Sequence, residues 1–223
     1  MQLHTGAAAI EGRRRPALRA GSRSGQRLAR SLSKKAEFRK QVLARRDALP
    51  AAERRALSAR ITLRLLALDA YRGARCVMAY ASFGGEFETA DFVADVLAQG
   101  KALVLPGVER GSRTLQLYAV DDPARQLAPG VWGIPQPRAD LCPRVPVSRL
   151  DFVLVPGVAF TPRGERLGYG GGYYDGFIRG FVRRPPLVAA AFSLQILQEL
   201  PVSERDQSVD RVVTESGEYR REG

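Results

Sequence analysis

The stretch from Arg75 to Val108 constrains the fold of this chain more than any other. "RCVMAYASF" (75–83) reads as a buried strand, "TADFVADVLAQ" (89–99) as a helix stopped by Gly100, and "KALVLPGV" as the next strand. A strand, a crossover helix and a strand form a β-α-β unit, which pairs its strands in parallel and places the sheet in a layered α/β setting. Two helices precede the unit. "SKKAEFRKQVLARRDAL" has Ser33 as an expected N-cap and Phe38 and Val42 on one face, and Pro50 suits the first turn of a second helix with Leu57, Ile61 and Leu65 at every fourth position. Beyond it, "TLQLYAV" (114–120) is a short strand, the Pro- and Gly-rich 128–148 a long surface connection, and "LDFVLVPGVAF" (150–160) the most hydrophobic strand. "YYDGFIRGFV" (173–182) reads as a helix, and "LVAAAF" (187–192) and "RVVTES" (211–216) as the last strands.

Composition removes several function classes. The chain of 223 residues is 45% hydrophobic and 26% charged, as ordinary globular proteins are. No stretch approaches the roughly 20 apolar residues of a membrane span, so no membrane partner is expected. Cys76 and Cys142 lie far apart without a C-x-x-C spacing, which argues against a disulfide framework or a zinc site and for a reducing, cytoplasmic setting. The one histidine is His4, so Ser-His-Asp, Cys-His and His-zinc mechanisms drop out together. What remains is chemistry by carboxylates, cations, tyrosines, backbone amides and a hard metal ion.

A net charge of +12 invites a nucleic-acid partner, yet seven arginines against Glu11 alone place half of that excess within residues 1–33. That segment has neither period nor large apolar residues, so residues 1–32 are expected to be a disordered arginine-rich extension; a transit peptide is the alternative. Residues 33–217 form the expected single domain, and residues 218–223 a C-terminal tail. Nucleic acid is not the expected partner.

The densest chemistry is "TPRGERLGYGGGYYD", which runs from the end of the 150–160 strand to the start of a helix. In open α/β sheets ligands bind beyond the carboxyl ends of strands, and Gly168, Gly170, Gly171 and Gly172 let the backbone approach a ligand without Cβ obstruction. The pattern suits a phosphate cradle, although neither a Walker A nor a Rossmann fingerprint is present. A mobile turn before a helix is the plain alternative. Arg166 before the glycines can clamp an anion, and Asp175 after them can hold Mg²⁺.

"VPGVAFTPRGERLGYGGGYYDGF" closely resembles the signature of the 5-formyltetrahydrofolate cyclo-ligases, also called 5,10-methenyltetrahydrofolate synthetases. Lys35 and Arg39 in K-x-x-x-R, "GGEFETADF", "WGIPQP" and "LPVSERDQSVDRVVT" follow in the family's order, so the similarity runs from about residue 33 to residue 215. The resemblance implies a single three-layer α/β domain with a mostly parallel central sheet flanked by helices. It also implies an ATP- and Mg²⁺-dependent ligase converting 5-formyltetrahydrofolate to 5,10-methenyltetrahydrofolate, with a monomer expected.

Carried residue by residue, the resemblance nominates Arg166 and Tyr173 as catalytic. Lys35, Arg39, Arg166, Leu167, Gly168, Tyr169, Gly170, Gly171, Gly172, Tyr173 and Tyr174 would bind ATP. Ala81, Glu86 and Tyr169 to Tyr173 would border the folate, and Asp175 and Asp206 would hold Mg²⁺. Ordinary alternatives stand beside each: a solvated basic face for Lys35 and Arg39, an exposed strand-end charge for Glu86, a helix first-turn residue for Asp175 and a turn residue for Asp206. Trp132 is expected in the core unless it stacks on a flat ring. Some relatives carry basic residues where this chain has Tyr169 and Gly171, so phosphate neutralisation falls to Lys35, Arg39, Arg166 and the metal. Two rivals remain open, another ATP- or phosphosugar-using enzyme on this scaffold and a basic nucleic-acid-binding protein.

Overall fold

In the computed structural model, residues 23–109 and 111–221 are described. Helices α1 (Arg23–Asp47), α2 (Ala51–Leu66) and the one-turn α3 (Asp69–Arg72) lead into strand β1 (Cys76–Met78), helix α4 (Ala90–Ala98) and strand β2 (Ala102–Val108). Strand β3 (Leu115–Ala119), the short helix α5 (Pro123–Gln126), and strands β4 (Leu127–Pro129), β5 (Pro135–Pro137) and β6 (Phe152–Leu154) follow. The chain then forms β7 (Ala159–Phe160), β8 (Arg166–Leu167), helix α6 (Tyr173–Arg179), β9 (Leu187–Ala190), β10 (Arg211–Val213) and β11 (Glu218–Arg220).

Seven strands build the central sheet in the order β11-β10-β9-β6-β1-β2-β3. The five inner strands run parallel, and an antiparallel strand closes each edge. The strand period of two divides the core between the faces. Val77, Leu103, Leu105, Phe152 and Leu154 face α2, α3 and α4 through Ile61, Leu65, Tyr71, Phe92 and Val96. Cys76, Met78, Val104, Val153 and Ala189 face the other way, toward Ile178 and Phe177 of α6. Each fully buried Phe or Leu contributes about 1.5–3 kcal/mol. Both faces are therefore covered, and the three-layer α/β expectation is met.

The wiring positions the site. From β1 the chain crosses through α4 to β2 on one side, whereas from β6 it crosses through α6 to β9 on the other. The adjacent strands β1 and β6 thus form a topological switch point, the place beyond whose carboxyl ends open α/β sheets bind their ligands. A small antiparallel hairpin, β7–β8, carries the chain from β6 to the glycine loop, and α1 packs on it through Val42 against Val158, Ala159 and Leu167.

Several expectations are corrected. Of the extension expected at 1–32, residues 1–22 and His4 lie outside the described residues, but α1 already starts at Arg23, so Ser33 is inside a helix and caps nothing. Pro50 is the N-cap of α2, one residue before its first turn. The expected single strand 150–160 breaks after Leu154: Pro156 offers no N–H to a ladder, and the chain turns into β7. The Pro-rich connection contains the β4–β5 hairpin. The tail expected at 218–223 instead supplies β11, whose Tyr219 pairs with Val212 and packs on the α6-side core.

Candidate active site

The glycine loop leaves β8 and enters α6, on the β6 side of the switch point. Arg166, only 3% exposed, turns its guanidinium inward, where Nη2 donates to Asp175 Oδ1 at 2.7 Å and Nη1 to the Pro156 carbonyl at 3.2 Å. Asp175 Oδ1 also accepts the Gln207 backbone N–H at 2.9 Å, so one oxygen ties the start of α6 to both β8 and the 203–209 segment. Arg39 reaches across from α1, its Nε donating to the Gly168 carbonyl at 2.7 Å. Burial lowers the Arg39 guanidinium, and the charges of Asp206 and Asp175 oppose that effect. Two arginines and two carboxylates thus share the space around the loop.

Side chains crowd two of the glycines. A Cβ on Gly168 would lie 2.9 Å from Arg166 Nη1, and one on Gly171 2.7 Å from the Tyr173 ring. Gly172 adopts φ +73° at the N-cap of α6, in the left-handed region.

Lys35 is no solvated face residue. It is buried, with Nζ 2.8 Å from Asp206 Oδ1 and 2.5 Å from Oδ2, and Oδ2 also accepts from the Ser203 hydroxyl and N–H. Burial pushes the Asp206 carboxyl up, but the hydrogen bonds from Lys35 and Ser203 outweigh it and leave it below its ordinary value. Nor is Glu86 an exposed charge: it is 4% exposed, its Oε1 accepts the Tyr169 hydroxyl at 2.5 Å, and its Oε2 accepts the Phe83 N–H at 3.1 Å. Burial raises its carboxyl, against the opposing pull of Tyr169, the Phe83 N–H and the Arg46 charge.

The Tyr169–Glu86 bond joins the glycine loop, which follows β6, to the turn that follows β1. Ala81 lies half-buried in that same post-β1 segment, and Leu167 is buried at the loop entrance. The Tyr174 hydroxyl is buried with no hydrogen-bond partner among the described residues, beneath the Arg166 guanidinium 6.0 Å from its ring. Trp132 is not in the core. It is 71% exposed, holds a left-handed φ of +60°, and sets its ring edge-on to Tyr173 at 6.1 Å.

Sequence reasoning missed Arg46. Its signal is present: Lys35, Arg39, Val42 and Arg46 are spaced 4, 3 and 4 residues apart, one stripe of a helix. That stripe faces the site, and the buried Arg46 donates from Nη1 to the Tyr169 hydroxyl at 2.7 Å.

Comparison with known proteins places the chain in a family. A family model described as the 5-formyltetrahydrofolate cyclo-ligase family matches residues 31–215. The mouse 5-formyltetrahydrofolate cyclo-ligase is 30% identical over 191 residues, covering 82% of this chain and 94% of the mouse protein. The Escherichia coli K12 5-formyltetrahydrofolate cyclo-ligase is 31% identical over 173 residues, covering 77% and 95%. Among solved structures, the Aquifex aeolicus 5,10-methenyltetrahydrofolate synthetase superposes with a TM-score of 0.75 at 36% identity, covering 85% of this chain and 93% of that one. By its sequence over residues 31–215 and by its fold, the chain belongs to the 5-formyltetrahydrofolate cyclo-ligase family.

Proposed function

We propose that this chain converts 5-formyltetrahydrofolate to 5,10-methenyltetrahydrofolate at the switch point, consuming ATP with Mg²⁺ and releasing ADP and phosphate. The observation that carries the reading is the Tyr169–Glu86 hydrogen bond, which joins a cation-lined glycine loop to a buried carboxylate. Two substrates that must react with each other need two such subsites in contact.

The formyl oxygen attacks the γ-phosphorus of ATP, the bond to the bridging oxygen breaks, and ADP departs. N10 of the same folate then adds to the activated formyl carbon, loses its proton, and phosphate leaves. The residues serve this by placement. Arg166, held by Asp175, and Arg39 and Lys35 from α1 offer positive charge to the triphosphate beside amides that glycine leaves unshielded. Tyr173, with Trp132 against its ring, borders the reacting groups, and Leu167, Gly168, Gly170, Gly171, Gly172 and Tyr174 complete the nucleotide loop. Glu86 accepts from the pterin amino and ring N–H groups, with Ala81 and Tyr169 alongside.

Asp175 and Asp206 fit a Mg²⁺ site. Both side chains are partly open to solvent, both offer hard oxygens, and Asp175 Oδ2 accepts no hydrogen bond from the described residues. Among the described residues no group of three or more His, Cys, Asp or Glu gathers. Two carboxylates completed by phosphates and waters suit an ion that arrives with its nucleotide. The ion would neutralise charge on the transferring phosphoryl group.

We assign the catalytic unit to residues 33–217 with the edge strand β11, working as a monomer, and leave residues 1–22 outside it. No described helix is long and apolar enough to cross a membrane, and the free, buried Cys76 and Cys142 suit a reducing cytoplasm. The test is the appearance of methenyltetrahydrofolate absorbance on adding ATP and Mg²⁺ to the protein and 5-formyltetrahydrofolate. No ATP-dependent signal would overturn the reading.

A further inference from the structure

The carboxylate proposed to read the folate does not stand alone. Its Oε1 accepts the Tyr169 hydroxyl, and that hydroxyl in turn accepts the Arg46 Nη1–H at 2.7 Å, forming a chain of donors from α1 through the glycine loop to the turn after β1. The Arg46 guanidinium is itself fixed by Asp47 Oδ1, 3.1 Å from both Nε and Nη2. A separate feature shows that this end of α1 lies close against the turn: a Cβ on Gly85 would meet Asp47 Oδ1 and lie 3.3 Å from Arg46 Nε, so the turn packs on the Arg46–Asp47 pair where a side chain would displace it. The Tyr169 ring is also flanked, by Phe83 at 5.3 Å and by the Arg46 guanidinium at 6.0 Å. An ionised carboxylate has about four lone-pair sites. Tyr169 and the Phe83 N–H take one on each oxygen, which leaves one on each for a paired hydrogen bond from a flat, amino-bearing ring.

We propose that Arg46 is a positioning residue of the folate subsite, which acts through the Tyr169 hydroxyl to aim the Glu86 carboxylate at the pterin. The inference rests on the reading of Glu86 as the folate carboxylate. Losing Arg46 removes the donor that holds the Tyr169 oxygen in place, so the carboxylate turns more freely and binds the ring less well, while the ATP side of the loop, held by Arg39 and Arg166, keeps its anchors.

The test compares Arg46→Met, Arg46→Lys, Tyr169→Phe and the Arg46→Met/Tyr169→Phe double variant with the parent in the ATP-dependent assay. Arg46→Met is expected to raise the KM for 5-formyltetrahydrofolate by about tenfold, the equivalent of 1.4 kcal/mol, with kcat and the KM for ATP within about twofold. Arg46→Lys is expected to recover part of the loss, since an ammonium can still donate to the hydroxyl. The double variant is expected to be no worse than Tyr169→Phe, because the arginine acts through that hydroxyl. A parent-like folate KM in Arg46→Met, an equal rise in the KM for ATP, or additive losses in the double variant would each overturn the inference. If Arg46→Met does not fold, Arg46→Lys and Tyr169→Phe decide it, an unchanged folate KM in both overturning it. A parent with no ATP-dependent turnover overturns the proposed function itself, and this inference with it.

Discussion

Asp175→Ala breaks the contact that holds the central arginine of the site. In the parent, Arg166 Nη2 lies 2.7 Å from Asp175 Oδ1, and the arginine side chain is 3% exposed against 22% for the aspartate. Removing one member of a buried pair leaves the other charge uncompensated, at about 3–5 kcal/mol. Arg166 would keep its bonds to the Pro156 and Gln207 carbonyls at 3.2 and 3.4 Å, and water can enter past the half-open aspartate position. The low end therefore applies, about 3 kcal/mol, which for a chain of this size lowers Tm by about 6–12 °C. Asp175→Asn keeps an oxygen acceptor for both Arg166 and the Gln207 N–H and loses only the charge, so it should cost about 1 kcal/mol and about 2–4 °C. The assay is thermal unfolding by circular dichroism in EDTA, where any contribution from Mg²⁺ is absent, followed by turnover against Mg²⁺ concentration. Both variants should need more Mg²⁺ for half-maximal rate. An Asp175→Ala protein melting within about 2 °C of the parent would refute the claim that Asp175 holds Arg166.

Glu86→Gln places a donor opposite the pterin's donors and should raise the folate KM about 5- to 150-fold, from about 1–3 kcal/mol for a mismatched buried hydrogen bond; a parent-like KM would remove Glu86 from the site. Because burial raises the Glu86 carboxyl, its contribution favours folding below the unfolded pKa and is lost as pH rises through the folded one. Above the folded pKa the charge therefore costs stability, the variant's lost hydrogen bond offsets the relief, and its Tm should stay near the parent's. Asp206 has the opposite sign. Its depressed carboxyl stabilises the fold above the unfolded pKa and loses that as pH falls through the folded one, so the deficit of Asp206→Asn should be full at neutral pH and shrink below about pH 3.9. A deficit independent of pH would sink the Lys35–Asp206 assignment. Gly171→Val drives its Cβ into the Tyr173 ring, which is half-exposed and can swing away. Stability should hold within about 0.5 kcal/mol while kcat/KM falls about 100-fold; unchanged turnover in a folded variant would argue that Tyr173 needs no fixed place.

The parallel layered fold was legible because buried strands and an amphipathic crossover helix are local patterns, readable over ten or twenty residues. The glycine loop was legible for a similar reason: contiguous glycines between a strand and a helix serve one local need. Edges and breaks were less so. β11 has one apolar residue, Tyr219, and exists because β10 offers it an unpaired edge. The break after Leu154 follows from Pro156, which the hydrophobicity of 150–160 concealed.

The sequence by itself determined the order of the elements, the alternation that covers both faces of the sheet, the lack of an imidazole outside His4, and the residue types available to the site. Only the tertiary structure decided which charges meet. Lys35 pairs with Asp206 across 171 positions, and Arg46 reaches Tyr169 across 123 and through it Glu86 across a further 83. The helical stripe of Lys35, Arg39, Val42 and Arg46 marks a common face, but whether that face meets solvent or other chain is not a local property. The partner that makes burial of such a charge tolerable is supplied by distant chain, brought there when two strands with opposite crossovers become neighbours.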